Sequence, residues 1–320
     1  MSGDNTTHVG YDDCTSVTAF CRVSDTVLGY YPNLGSGIFF AICFGLLAIT
    51  SLVLGIWKKT YTYCIGLSIG LILESAGYIG RALMNNNPWD QGAFDLQITA
   101  IILAPTFICV SIYLTLKHVA LNLNPSISRL RPRWYPVIFL PADLTCLIVQ
   151  AVGGGIAAAA GKTNRKLQQG GNHAIIAGVA LQVAVLLVFG VLSLDYFVKV
   201  KKWMASSEAQ GTQALRTWND ANFRKFGYAV SGAYLAIFVR CIYRIAEMAG
   251  GWGNKIMQDE PSFLVLDSSL VLIGSFLLTI FHPGFLFPQM RNGQGKRNNQ
   301  ESPVREEAGS SSDGTKTEKA

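Results

Sequence analysis

Seven ionisable side chains interrupt runs that are otherwise apolar: Glu74, Arg81, Asp143, Arg240, Arg244, Glu247 and Asp267. An acid in such a place can take up a proton or hold a cationic head group, and a base can set the charge of a neighbouring acid. Spacing sorts them. Glu74 and Arg81 are seven residues apart and share a helix face. Arg240, Arg244 and Glu247 stand at i, i+4 and i+7 and share another. Gln150 lies two turns beyond Asp143 in one run, and Gln97 and Gln182 place neutral polar groups in two more. Arg81, Arg240 and Arg244 nearly balance Glu74, Glu247 and Asp267. The plain alternative to a ligand site is therefore a set of structural ion pairs tying spans together. Asp143, just after Pro141, is a candidate for proton coupling, for a head-group contact, or for an ordinary buried hydrogen bond.

Several strings imitate catalytic motifs and fail on context. Gly66-Leu67-Ser68-Ile69-Gly70 has the G-x-S-x-G spacing, but that motif needs a strand–turn–helix setting. Inside an apolar run it reads as a small-residue packing face. Gly155 to Thr163 approaches a phosphate-binding loop with one residue too many between its glycines. There is no H-E-x-x-H or C-x-x-C pair, so neither a metal nor a cofactor is expected. The last apolar run has no lysine for a retinal Schiff base, and the third lacks the acidic-Arg-Tyr signature of rhodopsin-type receptors.

The elements that must position these groups follow from composition. Of 320 residues half are hydrophobic and only 14% charged, with a mean hydropathy of +0.31. Soluble domains carry about 25% charged residues. The deficit excludes disorder, coiled coils, disulfide scaffolds and most nucleic-acid binders. A transmembrane helix needs about 20 mostly apolar residues. Seven such runs occur, near 34–57, 61–84, 96–118, 134–160, 173–198, 225–248 and 263–287. The expected class is all-α: a polytopic membrane protein of seven transmembrane helices. With the N-terminus outside, 18 Lys and Arg fall on the inner side and 5 on the outer. The positive-inside rule then predicts an outer N-terminus and a cytosolic C-terminus. In that frame most of the buried charges fall in the outer half of their spans. Glu74 lies about 15 Å down at 1.5 Å per residue, which predicts a polar cavity open to the outside with Glu74 at its floor.

The flanks agree. The predicted division is an extracellular segment 1–33, a membrane domain 34–288 and a disordered cytosolic tail 289–320. Asn5-Thr6-Thr7 is a sequon on the outer side. Cys14 and Cys21 share that compartment and could bridge, or stay as two free thiols. The stretch 199–224 reads as a polar, basic, partly helical loop. Asp195 is expected near water, His282 at the inner interface, and Pro105 and Pro283 as helix kinks.

The motifs in order resemble one family. Glu74-Ser-Ala-Gly77-Tyr78-Ile-Gly-Arg81 is similar to the E-x-x-G-Y-x-x-R signature of the fungal lipid-translocating exporters, the RTA-like, resistance-to-aminocholesterol type. The pattern continues through Gln97 to Tyr113 with Leu103-Ala104-Pro105, then Asp143 to Gln150, Gly153-Gly154-Gly155 and Gln182. It closes with Arg240-Cys-Ile-Tyr243-Arg244-Ile-Ala-Glu247, Glu260, Asp267 and His282-Pro283-Gly284. The resemblance implies a fungal seven-helix protein, usually of the plasma membrane. It implies translocation of sphingoid bases or other toxic lipophiles, or in one branch porphyrin or haem uptake. The partners it implies are membrane lipids and a lipophilic small molecule, and homo-oligomerisation stays open. A seven-helix lipid-stress sensor signalling through its loops and tail is the competing class. An intramembrane enzyme lacks a nucleophile or metal set.

Overall fold

Hydrocarbon offers backbone N–H and C=O groups no partners, so an apolar run that enters it must satisfy them internally as helix. The computed structural model describes residues 14–160, 165–207, 210–250 and 253–286. Its long helices are α1 (Leu34–Lys58), α2 (Tyr61–Asn86), α3 (Gln91–Leu123), α4 (Trp134–Ala160), α5 (Arg165–Met204) and, after a short α6 (Gln213–Asn219), α7 (Ala221–Ala249). The last crossing, Glu260–Leu286, is built in pieces: α8 (Glu260–Phe263), a π-helical segment Leu264–Ser269, α9 (Leu270–Ile280) and α10 (Pro283–Leu286). Seven helices are long and apolar enough to cross a bilayer, and no strand occurs among the described residues. The chain is a multi-pass membrane protein. The seven runs read from the sequence each fall on one crossing. Two overshoot: α3 and α5 continue as helix past their apolar stretches, α5 through Lys199, Lys201 and Lys202. Lysine is a good helix former, so loss of hydrophobicity does not end a helix.

Local signals fix the ends. Asn33 accepts the N–H of Ser36 and Asp90 that of Ala93 as N-caps, while Lys59 closes α1 in the left-handed region at φ 56°. Residues 14–33 fold over one end of the bundle, here the cap end. A Cys14–Cys21 disulfide closes that segment. Trp89 donates to the Cys21 carbonyl at 3.2 Å, Asn87 to Thr15 at 2.8 Å and Asn85 to Pro32 at 2.9 Å. Asn5 and the tail 289–320 lie outside the described residues.

The opposite, basic end carries Arg129, whose guanidinium makes a two-pronged contact with Asp195 at 2.8 and 3.1 Å; Lys199 reaches the same carboxylate at 2.8 Å. Asp195 is part-exposed, as expected. His282, expected at the inner interface, is fully buried within the protein at the α1–α2 turn. It accepts the N–H of Gly284 at 3.0 Å, sits 3.4 Å from the Thr60 hydroxyl and meets Tyr63 edge-on, because α10 folds back under α1.

Lipid gives helices no hydrophobic reason to associate, so close packing must hold them together. α2 lies on α3 through Gly66, Gly70, Gly77 and Gly80; a Cβ on Gly70 would sit 2.8 Å from the Ala104 carbonyl. The G-x-S-x-G string is thus a packing face. α4 and α5 meet at Gly153, Gly171 and Gly178. Between these pairs, Tyr113, Phe139 and Phe189 form an aromatic layer with centroids 4.6–5.7 Å apart. The outer face of α1, from Phe39 through Leu46 to Val53, is left exposed to lipid. A Cβ on Gly171 would stand 2.6 Å from both Ala157 N and Gly153 O, which are backbone and cannot yield. Gly171→Ala should therefore lower stability by about 1–3 kcal/mol. Gly154→Ala, with nothing within 4 Å, should not. Thermal unfolding of both in detergent checks this.

Candidate functional site

The buried charges meet where α2, α3, α7 and the last crossing converge, and most resolve into pairs. Arg81 is 1% exposed. It donates to Glu260 at 2.7 Å and to the Tyr30 hydroxyl at 2.8 Å, with its guanidinium 4.6 Å over the Phe263 ring. Its partner is thus across the bundle, not Glu74 on its own face. Glu260 also accepts the Asn33 N–H at 2.9 Å, which ties the cap segment to the site. Burial holds the Tyr30 phenol above its ordinary pKa, with Arg81 opposing, so Tyr30 stays neutral and accepts from the arginine. Arg244 and Glu247, three residues apart on α7, close a second pair at 2.5 Å.

Arg240 makes the third pair, its Nε 2.9 Å from Asp267 Oδ1. That contact is an ion pair without hydrogen-bond geometry, and both Asp267 oxygens lack a hydrogen bond among the described residues. The strong bond of Arg240 goes elsewhere, from Nη2 to the Ile101 carbonyl at 2.7 Å. In a helix that carbonyl would accept from residue 105, but residue 105 is proline and has no N–H. Pro105, expected only as a kink, supplies Arg240 with a free acceptor. Asp267 in turn lies within the π-helical segment, a rare geometry that recurs at functional sites.

Glu74 is left over. It lies near the middle of α2, is 0% exposed, and neither carboxyl oxygen has a hydrogen bond among the described residues. Arg240, Asp267 and Arg244 are within electrostatic reach, but both arginines are engaged with other acids. Above it, toward the cap end, is a cleft of about 20 Å³ lined by Tyr30, Arg81, Gln97, Arg244, Glu247 and Phe263. That holds little more than one water. A second cavity of about 10 Å³ is bordered by Gln150, Gln182, Arg240 and Arg244. Gln150 donates to Gln182 at 3.2 Å, and Gln182 to the Thr106 hydroxyl at 3.3 Å. Arg244 lines both cavities. Glu74 lines neither and is 0% exposed, which corrects the expectation of an open cavity with Glu74 at its floor.

Asp143 does not join this group. It accepts a 2.6 Å hydrogen bond from the Tyr113 hydroxyl at the aromatic layer. Sequence reasoning left Tyr30, Tyr113 and Thr106 out of the network and did not see Glu260 as the partner of Arg81. Glu260 could have been found from its position at the start of the last crossing, level with Arg81.

A model of the RTA1-like protein family matches residues 67–290. The sphingoid long-chain base transporter RSB1 of Saccharomyces cerevisiae is 32% identical over 283 residues, covering 81% of this chain and 74% of that protein. Protoporphyrin uptake protein 1 of the same organism is 27% identical over 220 residues, covering 66% and 68%. The probable lipid transporter atnI of Emericella nidulans is 25% identical over 263 residues, covering 80% and 67%. No solved structure matches the chain.

Two outcomes follow from the pairings. Glu260→Gln strands a buried guanidinium and should cost about 3 kcal/mol, the low end for a broken buried pair because Glu260 is part-exposed. Pro105→Ala restores a helical N–H that competes for the Ile101 carbonyl. It should lower the melting temperature despite better helix propensity, since a hydrogen bond to a charged group contributes about 1.5–3 kcal/mol. A rise in melting temperature would show that Arg240 does not need that carbonyl.

Proposed function

The chain belongs to the RTA1-like protein family, and on that premise we propose that it translocates lipophilic molecules, with a cationic long-chain base as the best-fitting substrate. The observation that carries this reading is Glu74. Three arginines are each matched to an acid, and Glu74 is the acid left over in that network, near the middle of α2 with both oxygens unbonded among the described residues. An uncompensated carboxylate there costs several kcal/mol, so the site favours a cation. A sphingoid base supplies one as its amine, while its tail stays in lipid. The cleft at the cap end is the way in, and Arg244, which borders both cavities, must move from Glu247 for the head group to pass.

In this reading the cap end faces outside, with Asn5 available for glycosylation, and the basic end and tail 289–320 face the cytosol. The plasma membrane is the expected location. In this reading the chain acts as a transporter rather than an enzyme, in keeping with relatives named as transporters. Porphyrin uptake fits less well, because porphyrin carboxylates call for unpaired bases and each buried arginine already has an acid.

The test is transbilayer movement of a fluorescent sphingoid base in liposomes carrying the purified protein, beside empty liposomes and Glu74→Gln protein at matched incorporation. Movement at least tenfold above empty liposomes that Glu74→Gln abolishes is the expected result. No movement by folded wild-type protein would overturn the reading in favour of a lipid sensor.

A further inference from the structure

A second acid is buried without a countercharge, away from the pairs. Asp143 on α4 is 1% exposed; Oδ2 accepts from Tyr113, and Oδ1 has no hydrogen bond among the described residues. The groups facing it are Tyr113 and Cys109 from α3, Cys146 from its own helix and Cys241 from α7. Arg240, next to Cys241, is held by Asp267 and the Ile101 carbonyl. The Tyr113 ring is packed by Phe189 from α5 at 4.6 Å and by Phe139 at 5.7 Å, two rings that also meet each other at 5.2 Å. Neither cavity described above reaches Asp143. A proton needs far less space than a lipid amine, only a hydrogen-bonded path, and the Tyr113 hydroxyl is the first link of one. Tyr113 does not require an ionisable partner, since an amide oxygen would accept its hydroxyl as well.

A row on α3 runs between the surroundings of the two acids. Residues 101, 105, 109 and 113 recur at four-residue spacing, each turned about 40° from the one before. The first holds Arg240 through its carbonyl, the second is the proline that frees that carbonyl, the third is Cys109, and the fourth holds Asp143. Glu74 interacts electrostatically with Arg240, and Arg240 is bonded to the same helix, α3, whose Tyr113 holds Asp143. Charge counting agrees: Arg81, Arg240 and Arg244 are matched by Glu260, Asp267 and Glu247, which leaves two acids, each short of one cation.

We propose that Asp143 is the coupling-proton site of the translocator, so that a lipid amine bound at Glu74 moves in exchange for a proton carried on Asp143 Oδ1. The proton is taken from water on one side and released to water on the other, and no redox or covalent step is involved. This inference rests on the function proposed above and adds its energy source.

The experiment uses full-length protein in liposomes loaded with a pH-sensitive dye. The probe is a fluorescent sphingoid base with a trimethylammonium head, which cannot lose a proton and so does not follow a pH gradient by itself. Wild-type protein should accumulate the probe toward the acidic side, about tenfold at equilibrium for one pH unit in a one-for-one exchange. The dye should report proton movement the other way. Asp143→Asn should abolish accumulation and proton movement, and Asp143→Glu should restore them. Tyr113→Phe keeps the carboxyl and should displace the pH midpoint of coupling, which a merely structural contact would not do; it also decides the matter if Asp143→Asn does not fold. Accumulation by Asp143→Asn equal to wild type, or probe movement by wild type without proton movement, overturns the coupling and leaves translocation standing. Absence of any probe or sphingoid-base movement by wild type overturns the translocator itself.

Discussion

A charge in hydrocarbon must find its countercharge inside the protein, and that requirement organises this bundle. Three arginines in apolar helices could each cost several kcal/mol to bury. Each meets an acid from another helix or from the next turn of its own: Arg81 with Glu260, Arg240 with Asp267, Arg244 with Glu247. Two of the three pairs join the last crossing to the rest, so the electrostatic constraint also determines where that crossing docks. What the constraint leaves unmet is as informative as what it meets. Glu74 and Asp143 are the buried acids without an arginine partner among the described residues, and the proposed function is read from that remainder.

The pairs need a scaffold that lets helices approach closely without a hydrophobic driving force. Glycines on α2 supply it against α3, and glycines on α4 and α5 supply it to each other. The close α2–α3 contact brings Glu74 beside the α3 face that holds Arg240. The cap segment adds a lateral brace: its Asn33 N–H and Tyr30 hydroxyl engage Glu260 and Arg81 from outside the membrane part. Helix packing, ion pairing and cap folding therefore converge on the same few side chains.

Much of this was legible in the sequence. Seven apolar runs stand out because lipid permits nothing else, and a charge inside such a run is conspicuous by contrast. Spacing along one helix correctly placed Arg244 with Glu247. Pairing between helices was harder. Glu260 stands at the mouth of its run, where an acid attracts no notice, and so the partner of Arg81 was missed. The cavity was read too deep because helix counting gives the level of Glu74 but not the side chains stacked over it. Asp267 points at Arg240 from a π turn, whose extra residue shifts the face by an amount that a 3.6-residue repeat does not anticipate. Tyr113 was part of the familiar pattern, but nothing in the spacing says that its hydroxyl reaches α4.

Pro105 ties two helices together in a way that has an evolutionary consequence. At that position proline is an interhelix device: by withholding an N–H it gives Arg240 a carbonyl from another helix. Any other residue at 105 would return the carbonyl to α3, and any residue without a long donor at 240 would leave it bare. Positions 105 and 240, far apart along the chain and on different helices, are thus one heritable unit. A change at either position alters what the other is needed for, because the donor and the freed acceptor are useful only together.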